Sequence, residues 1–250
     1  MLATGLAAAV LLRAAQALVA RPATLRPSSP ARRATLRARR AMAALDATKS
    51  AATIADYDAV AATFDAGNMN HDVSQNIDAL LEPLKHVERP VVVDVGCAGG
   101  RDLLALTARG CEAWGVDGSP AFVELARKAA PDCRVLLQDF VDLDLPADTF
   151  DGVYANASLF HCPSEHLPEL LRRLYASLKT GGVFFSSNAH GFGEDKEGWS
   201  GGRTAATRSW VCWLSEATWK KECEDAGFVF RRSYYRGSSK AFLATVWRKP

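Results

Sequence analysis

Apolar residues alternate along the chain between short β-branched runs and longer stretches with helical spacing. Short apolar runs bounded by turn residues predict buried strands, whereas apolar residues three or four positions apart predict the inner face of a helix. The runs predict strands near 91–95, 112–117, 133–137, 151–155, 183–187, 228–236 and 240–248. The helical pattern predicts helices near 53–65, 72–86, 100–109, 119–130, 163–179 and 215–226. This alternation predicts a doubly wound α/β fold, in which helices cover a parallel sheet on both faces.

The last two predicted strands depart from this alternation. Only a few residues separate the strand near 228–236 from the strand near 240–248. Such a link is too short for the helical crossover that parallel neighbours require. We therefore expect a mostly parallel sheet that ends in a C-terminal antiparallel hairpin.

The connection from Asn188 to Ser215 contains no predicted element and is long for a compact domain. Its aromatic and basic side chains are Trp199, Trp210, Trp213, Arg203 and Arg208. Such side chains suit an apolar or anionic ligand, because arginine pairs with carboxylates and stacks on rings. The segment is a candidate substrate lid. The alternative is an irregular excursion whose tryptophans pack at the edge of the domain.

The composition fits one globular domain. The chain has 250 residues, of which 48% are hydrophobic, and this is enough for a single core. The formal net charge of +2 hides an asymmetry, because residues 1–45 hold eight arginines and no acid. The rest of the chain carries 22 basic and 28 acidic side chains. We expect no nucleic acid as a partner, since such proteins cluster basic residues on the folded part.

Residues 1–45 predict a targeting segment. Ala, Arg and Ser dominate this segment, a composition typical of mitochondrial and plastid transit peptides. We therefore divide the chain into a transit peptide over 1–45 and a folded domain over 46–250, and expect a plastid or a mitochondrion as the location. A secretory signal over the apolar residues 2–12, alone or ahead of a transit region, is a second interpretation. A third is a disordered extension before a true start at Met42, which would leave the protein in the cytoplasm.

Membrane insertion and metal binding are not expected. No apolar run approaches the roughly 20 residues that span a bilayer. The scattered cysteines, which form no C-x-x-C pair, are Cys97, Cys111, Cys133, Cys162, Cys212 and Cys223. This pattern favours a reducing compartment over a disulfide framework or a zinc site. The oligomeric state is not indicated by any pattern in the chain.

The most specific candidate chemistry follows the first predicted strand. Val91–Val95 leads into a turn with Gly96, Gly99 and Gly100, where a ligand can approach bare amides at a helix N-terminus. Asp117 ends the second strand, and an acid there can accept hydrogen bonds from both hydroxyls of a ribose. Together these features predict a nucleoside cofactor.

The glycine spacing narrows the kind of nucleoside. It is G-x-x-G-G rather than the G-x-G-x-x-G that cradles a dinucleotide pyrophosphate. Asp94, near the end of the first strand, faces the same turn. Its carboxylate would repel a pyrophosphate but attract the ammonium of an amino-acid ligand.

Five motifs, in order, resemble those of the class I S-adenosylmethionine-dependent methyltransferases over roughly residues 55–250. They are Asp-Val-Gly-Cys-Ala-Gly-Gly from Asp94, Gly-Val-Asp-Gly-Ser-Pro from Gly115, Gln-Asp-Phe from Gln138, Phe-Asp-Gly-Val-Tyr-Ala from Phe150 and Leu-Lys-Thr-Gly-Gly-Val from Leu178. Segments that further resemble a bacterial-type branch acting on small molecules are 57–61, 100–102 and 157–163. One departure is Ala98, where many members carry a third glycine, so we expect slightly altered amide positions there.

The resemblance implies a Rossmann-like sheet of seven strands, S-adenosylmethionine as cofactor and a small-molecule acceptor. The residues implied to contact the cofactor are Tyr57, Asp94, Gly96, Ala98, Arg101, Asp117, Gly118, Ser119, Asp139, Phe140, Asn156 and Ala157. The methionine end would lie at the glycine turn and Asp94, with Arg101 and Tyr57 nearby. Alternatives for these last two are a surface ion pair with Asp102 and a packing aromatic.

The same resemblance implies roles for the other end of the cofactor. Asp117 would hold the ribose, Asp139 would accept from the adenine amino group, and Phe140 would pack on the adenine ring. Asn156 and Ala157 would face the sulfonium and the acceptor. The alternative for Phe140 is ordinary core packing. The alternative for Asn156 and Ala157 is a structural turn.

Methyl transfer needs a general base only when the acceptor is protonated at working pH. The candidate bases are His161 and His190, the second of which lies just beyond the fifth strand. For both histidines a structural role is the favoured interpretation. Alignment of acceptor, methyl and sulfur supplies much of the catalytic effect without a base.

Two other functional classes share part of the pattern. A nucleoside-binding module without catalysis would keep Asp94 and Asp117 but lack an acceptor pocket. A nicotinamide-dependent oxidoreductase would share the strand, turn and ribose acid, but Asp94, the glycine spacing and the terminal hairpin disfavour it. Binding of S-adenosylhomocysteine against binding of NAD separates these classes.

Overall fold

The computed structural model describes residues 49–202, 204, 207–236 and 241–250. These residues belong to the compact unit that spans Ala44–Pro250. The expected targeting segment 1–45, its alternative start at Met42, and Arg203 of the expected lid lie outside the described residues.

Seven helices and nine strands build the described part of the chain. The helices are α1 (residues 49–58 as described), α2 (Ala61–Asn68), α3 (Ser74–Leu81), α4 (Arg101–Ala108), α5 (Pro120–Ala129), α6 (Leu167–Ser177) and α7 (Glu216–Asp225). The strands are β1 (Val91–Val95), β2 (Glu112–Asp117), β3 (Arg134–Leu137), β4 (Phe150–Asn156), β5 (Leu178–Ala189), β6 (Lys196–Trp199), β7 (Trp210–Trp213), β8 (Val229–Arg236) and β9 (Phe242–Arg248). Short 3-10 turns occupy Glu82–Leu84, Phe140–Asp142 and Leu159–His161.

Seven strands form one sheet in the order β3-β2-β1-β4-β5-β9-β8. The pairings among β1 to β5 are parallel, and β9 is antiparallel to both β5 and β8. The predicted fold class, a doubly wound and mostly parallel sheet with a C-terminal antiparallel hairpin, is confirmed. The second strand of that hairpin lies inside the sheet and the first lies at its edge.

The strand order reverses direction at β1, and this reversal positions the site. The chain runs from β1 to β2 and β3 on one side, and then returns to place β4 on the other side of β1. Such a reversal opens a crevice at the carboxyl edge of the sheet, beside the loops that follow β1 and β4.

Two apolar clusters cover the two faces of the sheet. Side chains of a strand point alternately to opposite faces, so Val92 belongs to one cluster and Val93 to the other. Helices α3, α4 and α5 cover the first face, and α6 and α7 cover the second. The leucines of α6 are buried, and each fully buried leucine contributes roughly 1.5–3 kcal/mol.

Several boundaries differ from the sequence prediction. The helix expected over 53–65 is two helices, α1 and α2, with a turn at 59–60. The helix expected over 163–179 is shorter, because Leu178 already pairs with Phe150 as the start of β5. A register shift follows, and Gly181 takes a φ of +82° before Val183 resumes the pairing with Gly152. The strand expected over 183–187 is therefore the middle of a longer strand.

The connection from 188 to 215 is not the loop that we expected. It contains the antiparallel hairpin β6–β7, in which Trp199 pairs with Trp210 and Lys196 with Trp213. The Trp199 and Trp210 rings meet edge to face at 5.2 Å. Strands of only four residues carry too few alternating positions for a periodicity signal, which explains why the hairpin was missed.

No helix in the described ranges has the length and apolarity to cross a bilayer.

Candidate functional site

A cleft lies at the carboxyl ends of β1, β2 and β4, beneath helices α1 and α2. The predicted site residues that line it are Tyr57, Gly96, Ala98, Arg101, Asp117, Gly118, Ser119, Asp139, Phe140, Asn156, Ala157 and His161. Asp94 and His190 are absent from its lining. The structure thus brings twelve of the fourteen candidates together around one cavity.

The turn after β1 needs its glycine at Gly96. Its φ is +87°, and a Cβ there would lie 2.4 Å from Cβ of Ser158. The Ser158 hydroxyl donates to the Val95 carbonyl at 2.6 Å. Any side chain at Gly96 would separate the loops that follow β1 and β4, so this glycine allows the two loops to form one wall.

Ala98 occupies the left-handed region with a φ of +46°. This conformation costs an L-residue other than glycine about 1–2 kcal/mol. The loop nevertheless keeps its shape, because the Ala98 amide donates to Oδ2 of Asp117 at 2.9 Å. The departure from glycine therefore adds local strain and does not open the turn.

Asp117 joins two backbone segments at the end of β2. Its Oδ2 accepts from Ala98, and its Oδ1 accepts from the Ser119 amide at 2.9 Å. Burial raises the pKa of this carboxyl, and the hydrogen bonds from the backbone amides oppose that rise. The carboxylate is therefore held rigidly at the wall of the cleft.

Asp94 does not reach the surface of the cleft, contrary to the expectation of direct contact. It is 1% exposed, and its Oδ2 has no hydrogen-bond partner among the described residues. Burial, together with the neighbouring carboxylate of Asp102, raises its pKa well above the usual range, and Arg101 opposes this rise. A residue at a strand end was expected to be accessible, but Asp94 is buried and lies within the electrostatic influence of Arg101 and Asp102 of α4.

Arg101 forms the ion pair that the sequence allowed as an alternative, while also lining the cleft. Its Nε and Nη2 donate to the two oxygens of Asp102 at 2.6 and 3.0 Å. Burial alone would lower the pKa of Arg101, but the hydrogen bonds and charge of Asp102 raise it. Asp102 also accepts from Nδ2 of Asn156 at 3.0 Å. The side chain of Asn156 is therefore engaged below the cleft.

Helix α1 forms the opposite wall with side chains that sequence reasoning missed. Ser50 Oγ lies 2.6 Å from each carboxylate oxygen of Asp139. Thr53 Oγ1 accepts from the Trp210 amide at 2.8 Å. Ser50, Thr53 and Tyr57 lie three and four residues apart on one helical face, and this spacing was a signal that could have identified them.

Tyr57 and His161 form a hydrogen-bonded pair in the cleft. Tyr57 Oη lies 2.7 Å from Nε2 of His161, and Nδ1 of His161 lies 2.8 Å from the Trp210 carbonyl. A carbonyl only accepts, so Nδ1 carries the proton and Nε2 of the neutral ring accepts from the tyrosine hydroxyl. The hairpin β6–β7 thus fixes the tautomer of a residue that lines the cleft.

His190 lies elsewhere. It borders a separate small cavity with Asn188, Phe160 and Trp219, and its ring packs 4.3 Å from that of Phe192. The sequence placed His190 correctly beyond β5, but the end of β5 turns it away from the cleft. Only one of the two candidate bases therefore lines the cleft.

Asp65 of α2 is a further lining residue that the sequence did not single out. A Cβ on Gly99 would lie 1.8 Å from Oδ1 of Asp65, so the carboxylate rests directly on the glycine turn. Burial raises its pKa, and Arg101 opposes this. The described lining residues include four carboxyl side chains, Asp65, Asp102, Asp117 and Asp139, and one guanidinium, that of Arg101. Such an excess of negative charge suits a cationic ligand.

No group of three or more side chains that could hold a metal ion occurs in the described ranges.

The comparisons with known proteins agree with this geometry. Residues 92–182 match the family described as a methyltransferase domain. A trans-aconitate 2-methyltransferase of Klebsiella pneumoniae (strain 342) is 39% identical over 90 residues, which cover 32% of each chain. The enzyme of the same name from Escherichia coli (strain K12 / DH10B) is 36% identical over 107 residues, covering 40% of this chain and 39% of that protein. The matched stretch thus spans about a third to two fifths of these relatives.

Solved structures share the fold over a longer stretch. The Burkholderia thailandensis 1,6-didemethyltoxoflavin-N1-methyltransferase, with bound 1,6-didemethyltoxoflavin and S-adenosylhomocysteine, has a TM-score of 0.58 at 24% identity and covers 78% of this chain and 87% of that one. The DhpI complex with S-adenosylhomocysteine has a TM-score of 0.63 at 18% identity, covering 80% and 97%. The chain thus shares its fold with S-adenosylmethionine-dependent methyltransferases of known structure. The stretch that matches the methyltransferase-domain model, residues 92–182, contains the first four of the five predicted motifs.

Proposed function

We propose that this protein transfers a methyl group from S-adenosylmethionine to a small-molecule acceptor. The observation that carries the proposal is the convergence of the glycine turn, Asp117 and Asp139 on one negatively charged cleft. The donor is a nucleoside that carries a sulfonium cation, so both its shape and its charge suit this cleft. The relatives named above methylate trans-aconitate or 1,6-didemethyltoxoflavin, and both acceptors are small.

The ribose and adenine sites follow from side chains at the strand ends. Asp117 would accept from the ribose hydroxyls, with Gly118 and Ser119 beside it. Asp139 would accept from the adenine amino group after sharing or releasing the hydroxyl of Ser50, and Phe140 would pack on the ring. These carboxylates are already held by backbone or hydroxyl donors, so little rearrangement is needed.

The amino-acid end of the donor would lie at the turn after β1. The backbone of Gly96 and Ala98 and the guanidinium of Arg101 suit its carboxylate, and Asp65 suits its ammonium. Asp94 would act from behind the wall through its charge rather than by contact. Ala157, with a φ of +58° after β4, would place its backbone beside the sulfonium and the acceptor, together with that of Asn156.

Bound S-adenosylmethionine supplies an electrophilic methyl group that needs no activation by the protein. The chain's contribution is to align the acceptor and, when the acceptor carries a proton, to remove it. The acceptor proton would pass to Tyr57 Oη as the tyrosine proton passes to Nε2 of His161. The resulting imidazolium keeps its Nδ1 proton, which still donates a hydrogen bond to the Trp210 carbonyl. His190 has no part in this scheme.

The arginine-rich, acid-free segment 1–45 supports delivery to a plastid or mitochondrion, with the cytoplasm as the alternative. A fusion of residues 1–45 to a fluorescent protein tests this location. Diffuse cytoplasmic fluorescence would contradict it.

Calorimetry and a labelling screen test the activity. The protein should bind S-adenosylhomocysteine and not NAD, which separates the proposal from an oxidoreductase. An untargeted metabolite screen with methyl-labelled S-adenosylmethionine should then yield a labelled product with the wild type and none with Asp117→Ala. Tight cofactor binding without any labelled product would instead favour a binding module.

A further inference from the structure

Asn76 is a buried polar residue outside the cleft that connects to it. It lies on α3 with 0% of its surface exposed. Its Nδ2 donates to Oδ1 of Asn156 at 2.9 Å, and its Oδ1 accepts from the Tyr234 hydroxyl at 3.0 Å. Neither Asn76 nor Tyr234 lines the cleft, whereas Asn156 does.

Asp102 is the last acceptor in this series of hydrogen bonds, and it sets the direction of each of them. The Asp102 carboxylate only accepts, so Asn156 must turn its Nδ2 toward Asp102. Its Oδ1 then faces Asn76, which must present Nδ2 there and leave its own Oδ1 for Tyr234. Reversal of either amide would set two acceptors or two donors against each other.

The chain of hydrogen bonds ends on Arg101. Asp102 holds Nε and Nη2 of Arg101, and Nη1 has only a 3.3 Å contact with the Asn68 carbonyl. Nη1 is therefore the part of the guanidinium most available to a ligand carboxylate. A fully satisfied buried network keeps its members in one arrangement.

We propose that Asn76 is a positioning residue: acting through Asn156 and Asp102, it aims Arg101 at the carboxylate of the cofactor's amino-acid moiety. The inference rests on the proposed function, because it takes S-adenosylmethionine as the ligand. It assigns a role in cofactor affinity to a helix that contributes no lining residue to the cleft.

Two ligands that differ only at this end test the inference. S-adenosylhomocysteine carries the amino acid, and 5′-methylthioadenosine lacks it. Asn76→Asp is nearly isosteric but cannot donate to Asn156 when ionised. We expect it to weaken S-adenosylhomocysteine binding about 10-fold, the effect of one charge-assisted hydrogen bond. The affinity for 5′-methylthioadenosine should change less than about twofold, since a ligand without the carboxylate does not use Arg101.

Tyr234→Phe is the second variant, because a new buried acid can prevent folding. It removes only the Tyr234 hydroxyl, the outermost donor of the network. It should weaken the binding of S-adenosylhomocysteine about threefold and leave the binding of 5′-methylthioadenosine unchanged. Ser177→Ala is the control, since it removes a buried hydroxyl that donates to the Leu174 carbonyl on the other face. It should lower stability and leave the ratio of the two affinities unchanged.

A parallel loss of both affinities in the network variants would show a merely structural role and overturn the inference. Unchanged S-adenosylhomocysteine affinity in the folded variants would overturn it as well. Failure of the wild type to bind S-adenosylhomocysteine would refute the proposed function itself, which distinguishes the two failures.

Discussion

The hydroxyl of Tyr57 lies 2.7 Å from Nε2 of His161, although 104 residues separate them. The contact joins the N-terminal helix α1 to the turn after β4. Because Nδ1 donates to the Trp210 carbonyl, the lone pair on Nε2 accepts from the tyrosine hydroxyl. The pair can therefore accept one proton from the cleft without a change of tautomer.

His161→Ala should lower the rate of methyl transfer to a protonated acceptor by roughly 10²- to 10⁴-fold, the usual contribution of a general base. The affinity for S-adenosylhomocysteine should change less than about threefold, since methionine, ribose and adenine contacts persist. Single-turnover kinetics with labelled donor measure the rate of methyl transfer, and calorimetry measures the affinity for S-adenosylhomocysteine. His190→Ala is the matched control, and its cofactor affinity should equal that of the wild type. A rate unaffected by His161→Ala would exclude the proton relay.

Asp117→Asn should weaken S-adenosylhomocysteine binding by roughly 10- to 100-fold, because it removes a charged acceptor worth about 1.5–3 kcal/mol. Asp58→Asn is a suitable control. Asp58 accepts from the Ser119 hydroxyl at 2.6 Å but does not line the cleft. Equal losses in the two variants would mean that Asp117 only supports the loop.

Ala98→Gly should stabilise the protein by about 0.5–1 kcal/mol, because glycine adopts a positive φ without steric cost. Denaturant unfolding measures the change. Ala105→Gly, inside helix α4, should have the opposite effect and lower the free energy of unfolding by about 1 kcal/mol. Destabilisation by Ala98→Gly would show that the alanine methyl contributes packing that outweighs its strain.

Asp94→Asn should stabilise the fold increasingly as the pH rises above the ordinary carboxyl pKa of 3.8. The pKa of Asp94 is raised in the folded state, so the native protein binds more protons than the unfolded chain above that pH. Stability is then lost as the pH increases, and an uncharged side chain avoids this loss. Thermal unfolding from pH 4 to pH 8 should show a growing gain for the variant, reaching about 1–2 kcal/mol. A constant difference over this range would refute the raised pKa.

The strands of the main sheet were predictable because β-branched runs with flanking turn residues are a local signal. β1 and β2 occupy the predicted residues, β4 is one residue longer at each end, and β8 begins one residue later. The break between α1 and α2 was not predictable, since it depends on which residues of α1 contact the loops opposite. The hairpin β6–β7 depends on pairing between segments whose own patterns are weak.

Within the site, residues in motifs were predictable and residues that reach the site from distant elements were not. Asp117 was identified from its place at the end of a strand, Asp139 and His161 from motifs of the family resemblance, and all three line the cleft. Asp65 and Asn76 lie on helices before β1 and acquire their neighbours only through tertiary packing. The burial of Asp94 was missed for the same reason, because a strand-end position does not reveal what packs over it.

The insertion of β9 between β5 and β8 constrains how the protein is made. β8 leaves the ribosome first but has no partner until residues 242–248 emerge, because its hydrogen bonds are to β9. During that interval the nascent chain exposes the unpaired edge of β5, a surface prone to intermolecular strand addition. Completion of the sheet therefore waits until residues 242–248 have been synthesised.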